Sequence, residues 1–258
     1  YLNGLRNGPC EQFNTSGQRT SLEIYEFGFV LRTTFWGYWP NGQVSSQNFY
    51  DYAGGNTITV FQSWNANGTL RSRQRNVNGK LDGLYQVFDE QGRPISEETY
   101  VLGMLHGIWR RWHLGTTQLY LEGSYLNSKK DGLWKNWHLN GQVASCEEYV
   151  AGVRHGNQEN YDQQGNQTDA LRWVFGELRY YETWEYYPNG ILRSHGVSSS
   201  ISGNLNEPPF IADERVEEEW DEEGSPIDFV LDEDLYRRHL STSQRAVCSP
   251  DVAQSDPA

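Results

Sequence analysis

The residues able to do chemistry are few, and their spacing says more than their number. Histidines stand at positions 106, 113, 138, 155, 195 and 239. His106 and His155 each precede a glycine, and His113 and His138 each follow a tryptophan. No two of them have the i, i+4 spacing with which one helix face holds zinc. Residues that recur at fixed places in a repeated unit take structural roles. Cys10, Cys146 and Cys248 match no zinc spacing and form at most one bridge. Glu97-Glu98 and Glu147-Glu148 fall at nearly equivalent places and read as solvated strand faces. Acid–base work needs two carboxylates gathered in a cleft, and nothing in the pattern selects such a pair. The nucleophile elbow, the phosphate loop and the dinucleotide fingerprint are all absent. The expectation is a chain that is not an enzyme and that has no metal and no cofactor.

Charge is the second chemical signal. The net charge is −13 over 258 residues, which argues against a nucleic-acid partner. Residues 1–206 carry a balance of −2, residues 207–236 one of −12, and residues 237–258 one of +1. Almost the whole excess sits in one short segment. Glu217, Glu218, Glu219, Asp221, Glu222 and Glu223 surround Trp220 there. Such a concentration either caps the end of a sheet or steers a basic partner. A calcium site is disfavoured, because no ligand loop of the usual spacing is present. No apolar run approaches the roughly 20 residues of a membrane-spanning helix.

The elements that position these residues follow from a repeat. Gly17, Gly42, Gly68, Gly92, Gly115, Gly141, Gly165 and Gly190 recur every 23 to 26 residues. A second series, Gly4, Gly28, Gly54, Gly79, Gly103, Ser128, Gly152 and Gly176, runs half a period out of phase. Glycines this frequent would break helices, each costing ~1 kcal/mol. Asn41-Gly42, Asn67-Gly68, Asn140-Gly141 and Asn189-Gly190 are hairpin signals. Each period therefore reads as one β-hairpin, and the chain as an all-β antiparallel meander. Paired aromatics keep the same clock: Trp36 and Trp39, Phe61 and Trp64, Tyr85 and Phe88, Trp109 and Trp112, Trp134 and Trp137, Trp184 and Tyr187. Residues three apart on a regular strand face opposite sides. One column is expected in the core. The other, with Trp112 and Trp137, lies on the opposite face as a candidate contact surface.

The segment GLWKNWHLNGQVASCEEYVAGVRHG (132–156) carries the pattern most clearly. It resembles the MORN-repeat variant of bacterial antitoxin-like proteins, and the resemblance covers roughly residues 1–195. It implies an elongated, twisted antiparallel sheet of hairpin repeats of about 24–25 residues. It also implies an immunity protein that binds and silences a toxin, in some cases a phospholipase effector delivered by type VI secretion. A MORN-type scaffold or membrane-surface tether is the alternative. The pattern is departed from at Arg32, Ile58 and Tyr180, where a second glycine is missing and the turn geometry is open. The clock also slips after Gly190, since the next turn glycine is Gly224.

These readings divide the chain into a repeat sheet (1–196), a loop (197–211), an acidic terminal hairpin (212–236) and a flexible tail (237–258). The partner-binding candidates are Glu217, Glu218, Glu219, Trp220, Asp221, Glu222, Glu223, Trp112 and Trp137. The expected partner is a cognate toxin enzyme, with no nucleic acid and no membrane insertion. The chain begins at Tyr1 rather than Met, which points to a removed signal peptide or a trimmed end. A periplasmic location is expected, with the cytoplasm as the alternative.

Overall fold

Glycine turns cut the sequence into stretches too short for helices and rich in Tyr, Trp, Val and Thr, which fit pleated strands. A computed structural model describes residues 1–52, 54–199 and 215–229, leaving aside the side chains of 199, 215–217 and 228–229. Its strands are β1 (Gly8–Phe13), β2 (Arg19–Glu26), β3 (Phe29–Tyr38), β4 (Val44–Asp51), β5 (Ile58–Trp64), β6 (Leu70–Val77), β7 (Lys80–Leu81), β8 (Gly83–Phe88), β9 (Pro94–Val101) and β10 (Met104–Trp112). They continue as β11 (Leu119–Leu126), β12 (Lys129–Trp137), β13 (Val143–Val150), β14 (Val153–Tyr161), β15 (Gln167–Val174), β16 (Glu177–Tyr186), β17 (Leu192–Ser199), β18 (Arg215–Trp220) and β19 (Pro226–Phe229). Among the described residues there is no helix, so no helix is long and apolar enough to cross a membrane. The all-β hairpin meander expected from the repeat is the architecture observed.

The chain forms two compact units, Tyr1–Leu119 with Tyr125–Lys129, and Tyr120–Ser124 with the residues from Lys130 onward. In the first, antiparallel pairing runs in chain order from β1 to β10. In the second it runs in chain order from β12 to β19. The segment 200–214, most of the expected loop, lies outside the described residues, as do 230–236 of the terminal hairpin and the tail 237–258. Residues 197–199, placed in that loop by the sequence reading, are the end of β17.

The two glycine series make two different turns. In the Asn-Gly series only the glycine has positive φ, for instance +89° at Gly42 and +91° at Gly141. Gly42 N–H donates to Trp39 O at 2.9 Å, and Trp39 N–H to Gln43 O at 2.8 Å. This is a three-residue loop that closes on a left-handed glycine. Outside the longer loop between Asp51 and Ile58 that holds Gly54, the second-series turns have positive φ at both central residues, as at Leu102 (+50°) and Gly103 (+85°) between the paired Val101 and Met104. These are two-residue turns with the twist that suits a hairpin. Asn78 and Asn127 occupy the first position in two of them, while Phe27, Leu102 and Phe175 hold it in three others.

Beyond each second-series turn, the missing glycines resolve into a change of bulge width. At Gly107, two residues on β10 are extra between the pairs Leu105–Tyr100 and Trp109–Glu98. At Gly156, two on β14 are extra between Tyr149–Arg154 and Glu147–Gln158. At Arg32 and Tyr180 only one is extra, between Ile24–Arg32 and Tyr25–Val30 and between Arg172–Tyr180 and Trp173–Leu178. Ile58 pairs with Asp51 without a register shift. The wider bulge needs a residue at positive φ, which glycine supplies without a Cβ clash (+98° at Gly107, +103° at Gly156).

The core is thin. Among the described residues, the buried apolar side chains are Trp134, Cys146 and Val197. Register puts Trp134 on one face of the second unit and Cys146, with Glu159, Glu182 and Val197, on the other. Both faces thus hold buried groups, and long side chains lying along neighbouring strands do the covering. Trp134 lies over Gly123, meets Tyr149 edge-on at 6.4 Å, and carries the Lys130 ammonium 4.1 Å from its ring centroid. Its burial contributes on the order of 3 kcal/mol.

Candidate functional site

The terminal hairpin joins the ladder of turns despite the slip in the clock. β18 pairs with β17 and β19 pairs with β18. Its turn repeats the Asn-Gly geometry, with Gly224 at φ +85° and Gly224 N–H donating to Asp221 O at 3.0 Å. Elsewhere each Asn-Gly turn holds the next by its Asn side chain: Asn41 Nδ2 to Ala66 O (2.6 Å), Asn67 to Glu90 O (2.7 Å), Asn140 to Gln163 O (2.7 Å). Asn189 reaches Glu222 O at 3.1 Å in the same way, across 33 residues of chain rather than 23 to 25. The Tyr187 hydroxyl also donates to Trp220 O at 2.9 Å. The extra residues therefore leave the ladder geometry unchanged.

The acidic candidates separate by role. The Asp221 carboxylate accepts the Glu223 N–H at 3.1 Å and the Ser225 N–H at 2.7 Å, so it locks the turn. Glu218 turns inward, its Oε2 3.6 Å from His195 Nδ1. Glu219, opposite Ser194, is exposed, as are Glu222 and Glu223 at the tip. Glu217 stands in register with Gly196, and its side chain lies outside those described. Three glutamates remain as a surface, fixed in place by the turn and the ladder. Ile227 beside them is exposed.

Trp112 and Trp137 belong to a column that ends every opening strand. Its members in the second unit are Trp137, Tyr161, Tyr186 and Trp220, each directly after a register shift. In the first unit the column is Phe13, Tyr38, Trp64, Phe88 and Trp112. The sequence pairing placed Trp39 and Tyr187 in this column, which is one residue too far. Both instead begin the turn, where the Trp39 indole donates to Trp64 O at 3.0 Å. Trp112, Trp137 and Trp220 are half-buried. Trp137 on β12 is six strands from β18, about 29 Å at the usual strand spacing, so it and the acidic tip do not form one compact patch.

Two groups of side chains escaped the sequence reading. The first is a set of tyrosines paired with carboxylates two residues away on the same strand face. Glu98 is only 9% exposed, which corrects the reading of Glu97-Glu98 as a solvated face. It accepts from the Tyr100 hydroxyl at 2.6 Å and from Arg111 at 3.1 Å. Glu147 accepts from Tyr149 at 2.5 Å and pairs with Arg154 at 3.5 Å. Glu148 accepts the Asn157 N–H at 2.7 Å in the Gly156 bulge. Burial, then the hydrogen bond to the neighbouring carboxylate, pushes the Tyr100, Tyr161 and Tyr180 hydroxyls well above the ordinary tyrosine range. Burial lowers the Lys130 ammonium, and nearby Glu147 offsets only part of that. These carboxylates are held by phenols and guanidiniums, an arrangement that stiffens a sheet rather than moving protons. The second group surrounds His195, with Glu182 Oε2 3.5 Å from its Nε2 and Trp184 stacked on its ring. The remaining described histidines with visible contacts are structural. His138 Nε2 lies 2.8 Å from Tyr161 O, and His155 Nδ1 accepts the Phe175 N–H at 3.3 Å. Among the described residues no cluster of His, Cys, Asp and Glu could hold a metal ion.

Residues 130–151 match the MORN repeat variant. Solved structures to which the chain is similar include the crystal structure of TcdB2-TccC3, at 12% identity and a TM-score of 0.25, covering 89% of this chain and 15% of that one. Another is TcdB2-TccC3 without its hypervariable C-terminal region, at 14% identity and a TM-score of 0.25, covering 83% of this chain and 12% of that one. The chain thus spans well under a fifth of those proteins. No curated protein matches in sequence. A MORN-type unit thus spans residues 130–151, and the geometry of its Asn-Gly turn recurs at Gly42, Gly68, Gly165 and Gly190.

Proposed function

We propose that this chain is an immunity-type protein that binds a cognate bacterial toxin enzyme and blocks it sterically. One observation carries the reading: Glu219, Glu222 and Glu223 are exposed on a hairpin fixed by Asp221 and tied to its neighbour through Asn189 and Tyr187. Fixed charge of one sign steers a basic partner and speeds its encounter. The half-buried Trp112, Trp137 and Trp220 suit rigid aromatic anchors. For a type VI phospholipase effector, the acidic tip would occupy the place of the anionic phosphodiester. The location would follow the toxin, in the periplasm for a secreted effector and otherwise in the cytoplasm.

The test is capture of a partner from the native host, followed by inhibition in vitro. A stoichiometric enzyme whose turnover this chain abolishes supports the proposal. Reversing Glu219, Glu222 and Glu223 to Lys should then slow association by about tenfold at low salt, with little change in dissociation. Unchanged kinetics would remove the hairpin from the interface, and recovery of no inhibitable enzyme would sink the reading.

A second reading, a membrane-surface tether, is favoured by one feature. Phe27, Leu102 and Phe175 are exposed at turn positions that Asn78 and Asn127 fill elsewhere. Flotation with anionic vesicles separates the two readings, because tethering predicts co-flotation of the pure chain.

A further inference from the structure

The cysteines of this chain do not share one state. Cys10 is an exposed free thiol, whereas Cys146 is disulfide-bonded. Cys146 stands on β13 and is 0% exposed. Its register partners are Lys135 of β12 and Glu159 of β14, and neither of those strands contains a cysteine. Bridged cysteines hold their Cα atoms about 4.4–6.8 Å apart, so the second sulfur belongs to chain that passes close by without being a neighbouring strand. The remaining cysteine is Cys248, which lies outside the described residues. The row of Cys146 continues in register through Glu159, Ala170, Glu182 and Val197. Glu159, Glu182 and Val197 are buried, so one face of the second unit carries a covered row that includes two carboxylates. From Tyr236 to Pro250 the sequence holds Arg237, Arg238 and Arg245 and no acidic residue.

We propose that the bond joins Cys146 to Cys248, and that the Cys146 face of the second unit is the docking site of the chain's own C-terminal segment. Length permits it. β13 is six strands from β19, about 29 Å at the usual strand spacing. The chain from Phe229 to Cys248 spans up to roughly 60 Å when extended. Charge suits it too, because a basic segment is the matched cover for a row of buried carboxylates. The bond forms between the two Sγ atoms by thiol–disulfide exchange. Two electrons and two protons pass to a small-molecule disulfide, which leaves as two thiols. Such bonds persist in oxidising compartments, the periplasm among them. The closed loop is about 100 residues long, so the bond removes much freedom from the unfolded chain. Exposed Glu219 stands on the opposite face, the one that holds Trp134, and is left open by the strap. The strap is independent of which partner, if any, meets that face.

The full chain, equilibrated in a glutathione redox buffer, tests the bond. It is alkylated in denaturant without reductant, digested with trypsin and read by mass spectrometry. Peptides 136–154 and 246–258 should appear as one linked species that reductant separates, with Cys10 alkylated. Alkylation of Cys146 before reduction, or a link between Cys10 and Cys146, overturns the proposal. Docking is read by brief trypsin digestion of the native chain. Cleavage after Arg237, Arg238 and Arg245 should be about tenfold or more slower in the bonded chain than in Cys248→Ser, because a protease needs the segment released. Equal cleavage rates overturn the docking. Cys248→Ser should also unfold at a Tm lower by roughly 10 °C, and an unchanged Tm refutes the strap as a fastening. If Cys248→Ser does not fold, the unmodified chain with and without reductant supplies the same two comparisons.

Discussion

One methyl group added at Gly123 should destabilise the second unit, although the local backbone would accept it. Gly123 is not in the left-handed region, and alanine in a strand ordinarily gains about 0.5–1 kcal/mol over glycine. The obstacle is Trp134. A Cβ at 123 would lie 2.2, 2.4 and 2.6 Å from three atoms of its indole. The ring cannot easily retreat, being 2% exposed, edge-on to Tyr149, beneath Lys130, and donating to Ser124 O at 3.2 Å. Overpacking of this kind costs about 1–3 kcal/mol, and loss of the indole hydrogen bond adds about 1 kcal/mol. After the propensity gain is subtracted, Gly123→Ala should cost about 1–3 kcal/mol, a fall in Tm of roughly 2–10 °C at this chain length. Urea unfolding followed by circular dichroism and tryptophan fluorescence measures it. Adding Trp134→Leu should make the pair cost less than the sum of the single changes. Gly37→Ala is the contrast, since its Cβ would meet the Ser46 hydroxyl at 2.6 Å, and that hydroxyl can rotate away. A neutral or stabilising Gly123→Ala would refute the argument that Trp134 needs a glycine beneath it.

Replacing Leu102 or Phe175, at φ +50° and +47°, with Asn should stabilise the chain by about 1 kcal/mol in the same urea assay, because Asn tolerates that region. Loss of stability there would mean that the exposed apolar side chain packs more than its exposure suggests. Burial raises the Asp162 carboxyl, but hydrogen bonds from Asn166, Gln164 and Gly165 outweigh it and hold the group below its ordinary range. Its contribution is present above the unfolded carboxylate range, about pH 4, and lost as pH falls further. Asp162→Asn should flatten that part of the acid-unfolding curve, and an identical curve would refute the assignment. Burial and carboxylate hydrogen bonds raise Tyr100, Tyr161 and Tyr180, so these should stay neutral in a spectrophotometric titration while exposed tyrosines ionise. Their stabilising effect disappears only as the pH rises past the ordinary tyrosine range and they are forced to ionise. Full tyrosinate absorbance at the ordinary midpoint, about pH 10, would contradict the burial of these phenols.

The sequence by itself determined the strands, the turns and their order, because glycine spacing and strand propensity act within a few residues. It also located the acidic excess around Trp220 and marked the equivalent turn positions of His113 and His138. Tertiary structure decided which face each side chain takes. Trp36 and Phe61 look alike in the repeat, yet Trp36 pairs with Gln47 and Phe61 with Asn48, adjacent residues of β4 that point to opposite faces. Trp134 and Trp184 differ in the same way. One extra residue at Arg32 and one at Tyr180 shift β3 and β16 by a single position, whereas β5, which carries Phe61, pairs with β4 without a shift. A period of two residues per pleat makes one residue of slip enough to exchange the faces, and spacing alone does not count residues lost in a bulge. The same slip turned Trp39 and Tyr187 into turn anchors. It also placed Trp184 beside His195 and set Glu218 apart from Glu219, a distinction that six acidic residues in a row of seven do not reveal.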